Sequence, residues 1–149
     1  MDTNTIFQQN LKAAREFRGL SLVRLQELTG YNRQAISTLE HATHDISLGN
    51  AVKLAKALNY DFPSLFSRSF RLDKTEAYQE QNYLALFSQN VQRLLVKRGW
   101  HQYSIAVKAE LDTTAVNKIL NQKVNPKLST LTRIAAVFGK ELPELLKRT

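Results

Sequence analysis

Cysteine is absent from this chain of 149 residues. Disulfide bonds, thiolate zinc sites and cysteine nucleophiles are therefore excluded. Proline and glycine are scarce, at three and five residues, and runs of β-branched residues are lacking, which favours helices. No apolar run approaches the roughly 20 residues of a membrane span. The opening stretch MDTNTIFQQN lacks the basic and apolar segments of a signal peptide. We therefore expect a soluble, cytoplasmic protein.

What the chain does have is apolar residues and positive charge. Apolar residues make up 43% of the sequence, which is enough for folded cores. The formal net charge is +8. Residues 1–74 hold 10 basic and 7 acidic side chains, and residues 75–149 hold 11 and 6. An excess of positive charge in both halves suits a polyanionic partner.

The sequence repeats itself when it is shifted by 80 residues. FQQN at position 7 meets FSQN at 87, and FPSLF at 62 meets LPELL at 142. Apolar positions follow each other between these anchors, so two units of about 60 residues are predicted. The predicted division is a first domain at 1–66, a linker at 67–81 and a second domain at 82–149. From Thr75 onward the linker is expected to run into the first helix of the second domain.

Each unit shows five segments with helical spacing of apolar residues, separated by short turns. In the first unit, glycines are expected to end the first two helices, at Gly19 and Gly30. Small polar residues are expected to cap the helices that follow, and these are Ser21, Asn32 and Ser47 in the first unit and Asp112 in the second. Two short helices joined by a three- or four-residue turn form a helix-turn-helix. The fold class predicted is therefore all-α.

These segments also resemble a known family. The stretch RGLSLVRLQELTGYNRQAISTLEHA, followed by SLGNAVKLAKALNYDFPSLF, is similar to the lambda-repressor-like Cro/CI type, also called the XRE family. The stretch LDTTAVNKILNQKVNPKLSTLTRIAAVFGKELPELL resembles the same family. The resemblance implies two tandem five-helix lambda-repressor-like helix-turn-helix domains. It also implies a bacterial or phage transcriptional regulator that binds double-stranded DNA. Repression is the expected sign, because a protein that covers a promoter needs no other equipment.

In that family the third helix reads bases with its first two residues and the one four positions further on. The base-reading residues implied here, with one neighbour in each unit, are Arg33, Gln34, Ser37, Thr38, Thr113, Thr114, Asn117 and Lys118. Their chemistry fits the major groove. Arginine can donate twice to guanine and glutamine can pair with adenine, while the threonines offer hydroxyls and methyls that can touch thymine.

Phosphate contacts fix the position of such a domain on DNA without reading sequence. The resemblance implies a glutamine at the start of the second helix. Gln102 matches this in the second unit, whereas Leu22 departs from it in the first. The full set of phosphate candidates is Ser21, His41, Thr43, Gln102, Lys123, Asn125 and Lys127.

No catalytic residue, metal site or cofactor is predicted. His41, His44 and His101 do not cluster with carboxylates at metal-binding spacing, so the chain is not expected to be an enzyme. The aromatic residues are expected in the core or at a dimer contact rather than on a platform for single strands. RNA is a weak alternative, because the major groove of A-form RNA does not admit a helix.

The expected partner is double-stranded DNA, with no membrane. A homodimer is also expected, because the stretch SLFSRSF leaves Leu65, Phe66 and Phe70 needing a surface that buries them. The alternative function is a protein-interaction module, such as an antitoxin or adaptor in which one helix-turn-helix unit holds a protein partner.

Overall fold

The computed structural model describes residues 2–41 and 44–148. This part of the chain forms two compact units, Met1–Glu80 and Gln81–Thr149. The helices of the first unit are α1 (Thr3–Phe17), α2 (Leu22–Thr29), α3 (Arg33–His41) and α4 (Leu48–Leu58), followed by a 3-10 helix at Pro63–Phe66. Those of the second are α5 (Tyr83–Arg98), α6 (Gln102–Ala109), α7 (Thr113–Leu120) and α8 (Leu128–Val137), followed by a 3-10 helix at Leu142–Leu145. The all-α fold is confirmed.

The helix ends follow the local sequence signals. The hydroxyl of Ser21 accepts the N–H of Arg24 at 3.0 Å, which caps α2. Gly30 ends α2 with φ at 73°, a left-handed conformation that glycine adopts without strain. The carboxylate of Asp112 accepts the N–H of Thr114 at 2.8 Å and caps α7. The predicted caps at Ser21 and Asp112 are therefore confirmed, and they mark where α2 and α7 begin.

The two units also repeat each other in their internal bonds. The side-chain nitrogen of Asn10 donates to the carbonyls of Leu65 and Ser67, at 2.9 and 3.0 Å. Eighty residues later, Asn90 donates to the carbonyls of Leu145 and Lys147, at 2.8 and 2.9 Å. In each unit this amide fastens the first helix to the end of the 3-10 segment. The second pair of such bonds runs from Arg18 to Leu58 and from Arg98 to Phe138.

Residues 67–80, which lie within the predicted linker, are part of the first compact unit and form hydrogen bonds with its other residues. The hydroxyl of Tyr60 donates to the carbonyl of Leu72 at 2.7 Å, and the N–H of Asp61 donates to the carbonyl of Glu76 at 2.8 Å. The expected helical extension from Thr75 is wrong, since residues 75–82 are not helical. The helix begins at Tyr83, because Asn82 caps it by accepting the N–H of Ala85 at 3.0 Å.

The aromatic cluster at the end of the first unit removes the argument for a dimer that was based on Leu65, Phe66 and Phe70. Leu65 and Phe66 are buried within their own unit, and the ring of Phe66 stacks on that of Phe7 with centroids 4.5 Å apart. Phe70 is half-buried and meets the edge of Tyr60 at 5.1 Å. These side chains therefore have intramolecular partners and do not require a second subunit.

Candidate nucleic-acid interface

Helix α3 packs against the core with one side and exposes the other side to solvent. Its inner residues Ile36 and Leu39 are buried in the core of the first unit. On its outer side Arg33, Gln34 and Thr38 are exposed, and Ser37 is half-exposed. The structure thus brings the four residues of α3 that are predicted to read bases to one outer surface. This separation of a buried apolar side from an exposed polar side is what a helix needs in order to enter a groove.

The N-terminus of α3 is fastened by two side chains. The amide oxygen of Gln26, on α2, accepts the N–H of Arg33 at 2.7 Å. The amide oxygen of Asn32 accepts the next two N–H groups, at 2.7 and 3.3 Å, and its carbonyl accepts the N–H of Ile36 at 3.0 Å. The N–H groups of the first three residues of α3, which the helix itself leaves open, are therefore all engaged by side chains. Direct contacts from this helix start must come from its side chains.

Helix α7 has the same construction with different outer residues. Val116 and Ile119 are buried in the core of the second unit, while Thr113, Thr114, Asn117 and Lys118 are exposed. The side-chain nitrogen of Asn117 donates to the amide oxygen of Gln102 at 3.3 Å. A predicted base-reading residue and a predicted phosphate contact are thus adjacent.

The remaining phosphate candidates that the structure describes are exposed. Ser21 is exposed, although its hydroxyl oxygen already caps α2. His41 is the last residue of α3, and its Nδ1 lies 2.8 Å from the carbonyl oxygen of Ser37. Lys123, Asn125 and Lys127 are exposed around the turn between α7 and α8. Thr43 lies outside the described residues.

An ion pair holds α3 against α1 in the first unit. The guanidinium of Arg15 donates to both carboxylate oxygens of Glu40, at 2.6 and 2.9 Å, and to the carbonyl of Leu20 at 2.9 Å. The side chain of Glu40 is only 2% exposed and that of Arg15 is 16% exposed. The hydrogen bonds to Glu40 raise the pKa of Arg15 above its usual value. At the equivalent positions of the second unit, Leu95 and Leu120 are both buried.

Large aromatic side chains serve mainly the interior. Phe62, Phe66 and Phe138 are buried, and the guanidinium of Arg98 lies over the ring of Trp100 at 5.1 Å from its centroid. This arrangement favours packing over a base-stacking platform.

Among residues 2–41 and 44–148, no group of three histidine or acidic side chains could hold a metal ion. The helices of that same stretch include none that is long and apolar enough to cross a membrane.

Two features of the interface were not found from the sequence. Gln26 bonds to the start of α3, which requires the helix-turn-helix to be folded before the contact can be seen. Val124 lines an open groove beside α7 and remains 39% exposed. The apolar character of position 124 was the only sequence signal for the second feature.

Comparisons with known proteins agree with this geometry. A family model described as helix-turn-helix matches residues 11–65 and again residues 91–145. The two matched ranges are 80 residues apart, as the internal repeat requires. The chain is also 34% identical over 68 residues to Control protein C.SmaI from Serratia marcescens, a match that covers 46% of this chain and 81% of that protein. No solved structure matches.

Proposed function

We propose a specific mode of DNA binding from the premise that this chain belongs to the XRE-type helix-turn-helix family. The chain is a DNA-binding transcription regulator, as the family indicates. We infer that each unit places its own helix, α3 or α7, in the major groove of double-stranded DNA. The chain then reads sequence with two unlike helices and acts as a repressor by covering a promoter.

The observation that carries this proposal is the pair of helices with buried inner sides and polar outer sides. On α3, Arg33 can donate two hydrogen bonds to guanine, and Gln34 can pair with the edge of adenine. Both side chains are exposed at the N-terminal end of the helix, the end that contacts bases in helix-turn-helix proteins. Ser37 and Thr38 follow one turn later on the same side.

The second unit supports the proposal with a different set of groups. Thr113 and Thr114 offer hydroxyls and methyls, Asn117 offers an amide and Lys118 a positive charge. Because none of the four matches its counterpart on α3, the two units should prefer different base sequences. One copy of the chain would then cover a composite site made of two unlike halves.

Phosphate contacts are proposed to hold each unit on the DNA backbone. The candidates in the first unit are Ser21, His41 and Thr43, and those in the second are Gln102, Lys123, Asn125 and Lys127. The excess of basic side chains in both halves of the sequence supports such contacts. Gln102 begins α6, where the side chain of His101 makes no capping bond.

The oligomeric state sets the length of the site. A single copy covers one asymmetric composite site, whereas a homodimer covers a palindrome whose half is itself composite. The homodimer has lost the support of Leu65 and Phe66, which are buried in their own unit. The remaining argument for a homodimer is that two-fold dimers are the commonest oligomers of soluble proteins. The mass of the complex in solution and the length of its footprint distinguish the two arrangements.

The test is in vitro selection of bound duplexes from a random pool with the full chain. We expect a motif with two unlike parts. Arg33→Ala and Gln34→Ala should each erase preference in one part, at a cost of roughly 1–3 kcal/mol. Lys118→Ala should act on the other part, whereas Lys127→Ala should weaken all duplexes alike.

An unenriched pool would refute sequence-specific binding. A motif that responds to variants of α3 but never to variants of α7 would mean that only the first unit reads DNA. The second unit would then have another role, such as holding a protein partner.

A further inference from the structure

A groove of about 360 Å³ runs along the reading helix of the second unit. One wall carries Thr114 and Lys118, two of the side chains proposed to face bases. The other wall carries Val124 and Pro126, from the turn that leads into α8. The groove is mainly apolar, so it differs from the polar outer surface of α7 on which it opens.

Val124 is an apolar residue of this groove that stays partly exposed to solvent. It is 39% exposed, whereas Ile119 on the same lining is buried in the core. The one carboxylate on the lining, that of Asp112, is engaged in capping the N–H of Thr114. Apart from it, the charged group on the wall is the ammonium of Lys118. The groove therefore combines an apolar floor with a rim that carries one ammonium and one carboxylate.

The first unit has no apolar equivalent of this residue. The position 80 residues before Val124 is His44, whose ring nitrogen lies 3.5 Å from the hydroxyl of Tyr31. The carbonyl of His44 accepts a hydrogen bond from Gln8 at 3.0 Å. This part of the first unit is polar and is tied to its own core helix. An apolar residue at this position is thus particular to the second unit.

We propose, resting on the DNA-binding function above, that this groove receives the 5-methyl group of a thymine and that Val124 is its main contact. The thymine methyl is the one apolar group that bases display in the major groove. The ammonium of Lys118, at the rim, is attracted to the negative charge of the DNA that carries this methyl group. Val124 is then a specificity-determining residue that gives the second unit a requirement for thymine at one position.

The experiment uses the full chain and the duplex obtained by selection. Each thymine in the half of the site that Lys118→Ala affects is replaced in turn by deoxyuridine, which lacks only the methyl group. We expect about fourfold weaker binding at one position, the factor for withdrawing one methyl-sized group from an apolar contact. At the other positions binding should be unchanged.

Val124→Ala should weaken binding to the thymine duplex and abolish the difference between thymine and uracil. Lys123→Ala is the matched control, because residue 123 is also exposed in the same turn. It should weaken both duplexes equally and preserve the difference. Melting curves of both variants should match that of the unaltered protein, since neither side chain is part of the core.

The outcomes separate this inference from the function on which it rests. Failure of every duplex to bind would refute the DNA-binding function itself. Binding with no thymine-to-uracil difference at any position would overturn the proposal and leave DNA binding intact. A difference that persists in Val124→Ala would also overturn it, because the contact would then belong to another side chain.

Discussion

Replacing Arg15 by leucine should destabilise the first unit more than replacing Glu40, although the two residues form one ion pair. The Glu40 side chain is 2% exposed, so Arg15→Leu leaves a buried carboxylate without its guanidinium. Removing one partner of a buried pair costs about 3–5 kcal/mol. Glu40→Leu leaves an arginine that is 16% exposed and still bonded to the carbonyl of Leu20. The expected cost of that change is smaller, about 1–3 kcal/mol.

The double variant Arg15→Leu/Glu40→Leu should recover most of this loss. It copies the second unit, which buries Leu95 and Leu120 at the equivalent positions. Replacing a buried ion pair by apolar residues is often neutral or stabilising by about 1–4 kcal/mol. We therefore expect the free energy of unfolding of the double variant to be within about 1 kcal/mol of that of the original protein, or higher. The two substitutions would then be strongly non-additive.

Urea unfolding of the full chain provides the measurement. Far-UV circular dichroism follows the helices of both units, whereas fluorescence of the single tryptophan, Trp100, reports on the second unit. The change should appear in circular dichroism, with the Trp100 transition as the internal reference. Equal costs for the two single variants would contradict the argument from exposure. A double variant no more stable than Arg15→Leu would show that the leucine pair depends on other neighbours.

Three further predictions concern the helix starts and the phosphate contacts. Gln26→Ala removes the acceptor for the N–H of Arg33. It should cost about 1 kcal/mol of stability and weaken binding to the selected site more than to random DNA, whereas Gln26→Glu, which keeps the acceptor, should not. Titration of both duplexes checks this. Affinity for duplex DNA should fall steeply with salt, because phosphate neutralisation releases counterions, and a flat log–log plot would contradict phosphate contacts. The N–H of Thr5 lowers the pKa of Asp2. The Asp2 carboxylate therefore stabilises the folded state above the unfolded pKa of about 3.9. This stabilisation is lost as the pH falls through the lower pKa that Asp2 has in the folded state. Asp2→Asn should show a smaller loss of melting temperature between pH 6 and acid conditions of about pH 3.

The local parts of the fold were predictable from the sequence because their signals act over a few residues. Gly30 at a helix end and Asp112 at a helix start each act within one turn. Because the sequence repeats after 80 residues, each helix predicted in one unit was also indicated by the corresponding stretch of the other. The match of the family model to residues 11–65 and 91–145 follows the same repeat. The assignment of individual side chains to bases and phosphates stays a prediction.

Contacts between distant residues were not predictable in the same way. Arg15 and Glu40 are 25 residues apart, and no periodic pattern pairs them. Phe17 and Leu28 occupy apolar helix positions, yet they are 54% and 46% exposed, which helical spacing alone does not predict. Leu65 and Phe66 were expected at a dimer contact because they needed a surface that buries them. The ring of Phe7, on which Phe66 stacks, lies far away in sequence and was not identified as that surface.

The bonds of Asn10 and Asn90 have a consequence for how this protein can change. The two amides fasten the same helix to the same carbonyl positions in both units, while all four outer residues of α3 differ from those of α7. What holds a unit together is thus separate from what it displays. Substitutions at the displayed positions need not disturb these bonds. If both units bind DNA as proposed, one unit can change its target sequence while the other still holds the chain at the original site, so that the two halves of a binding site can change one at a time.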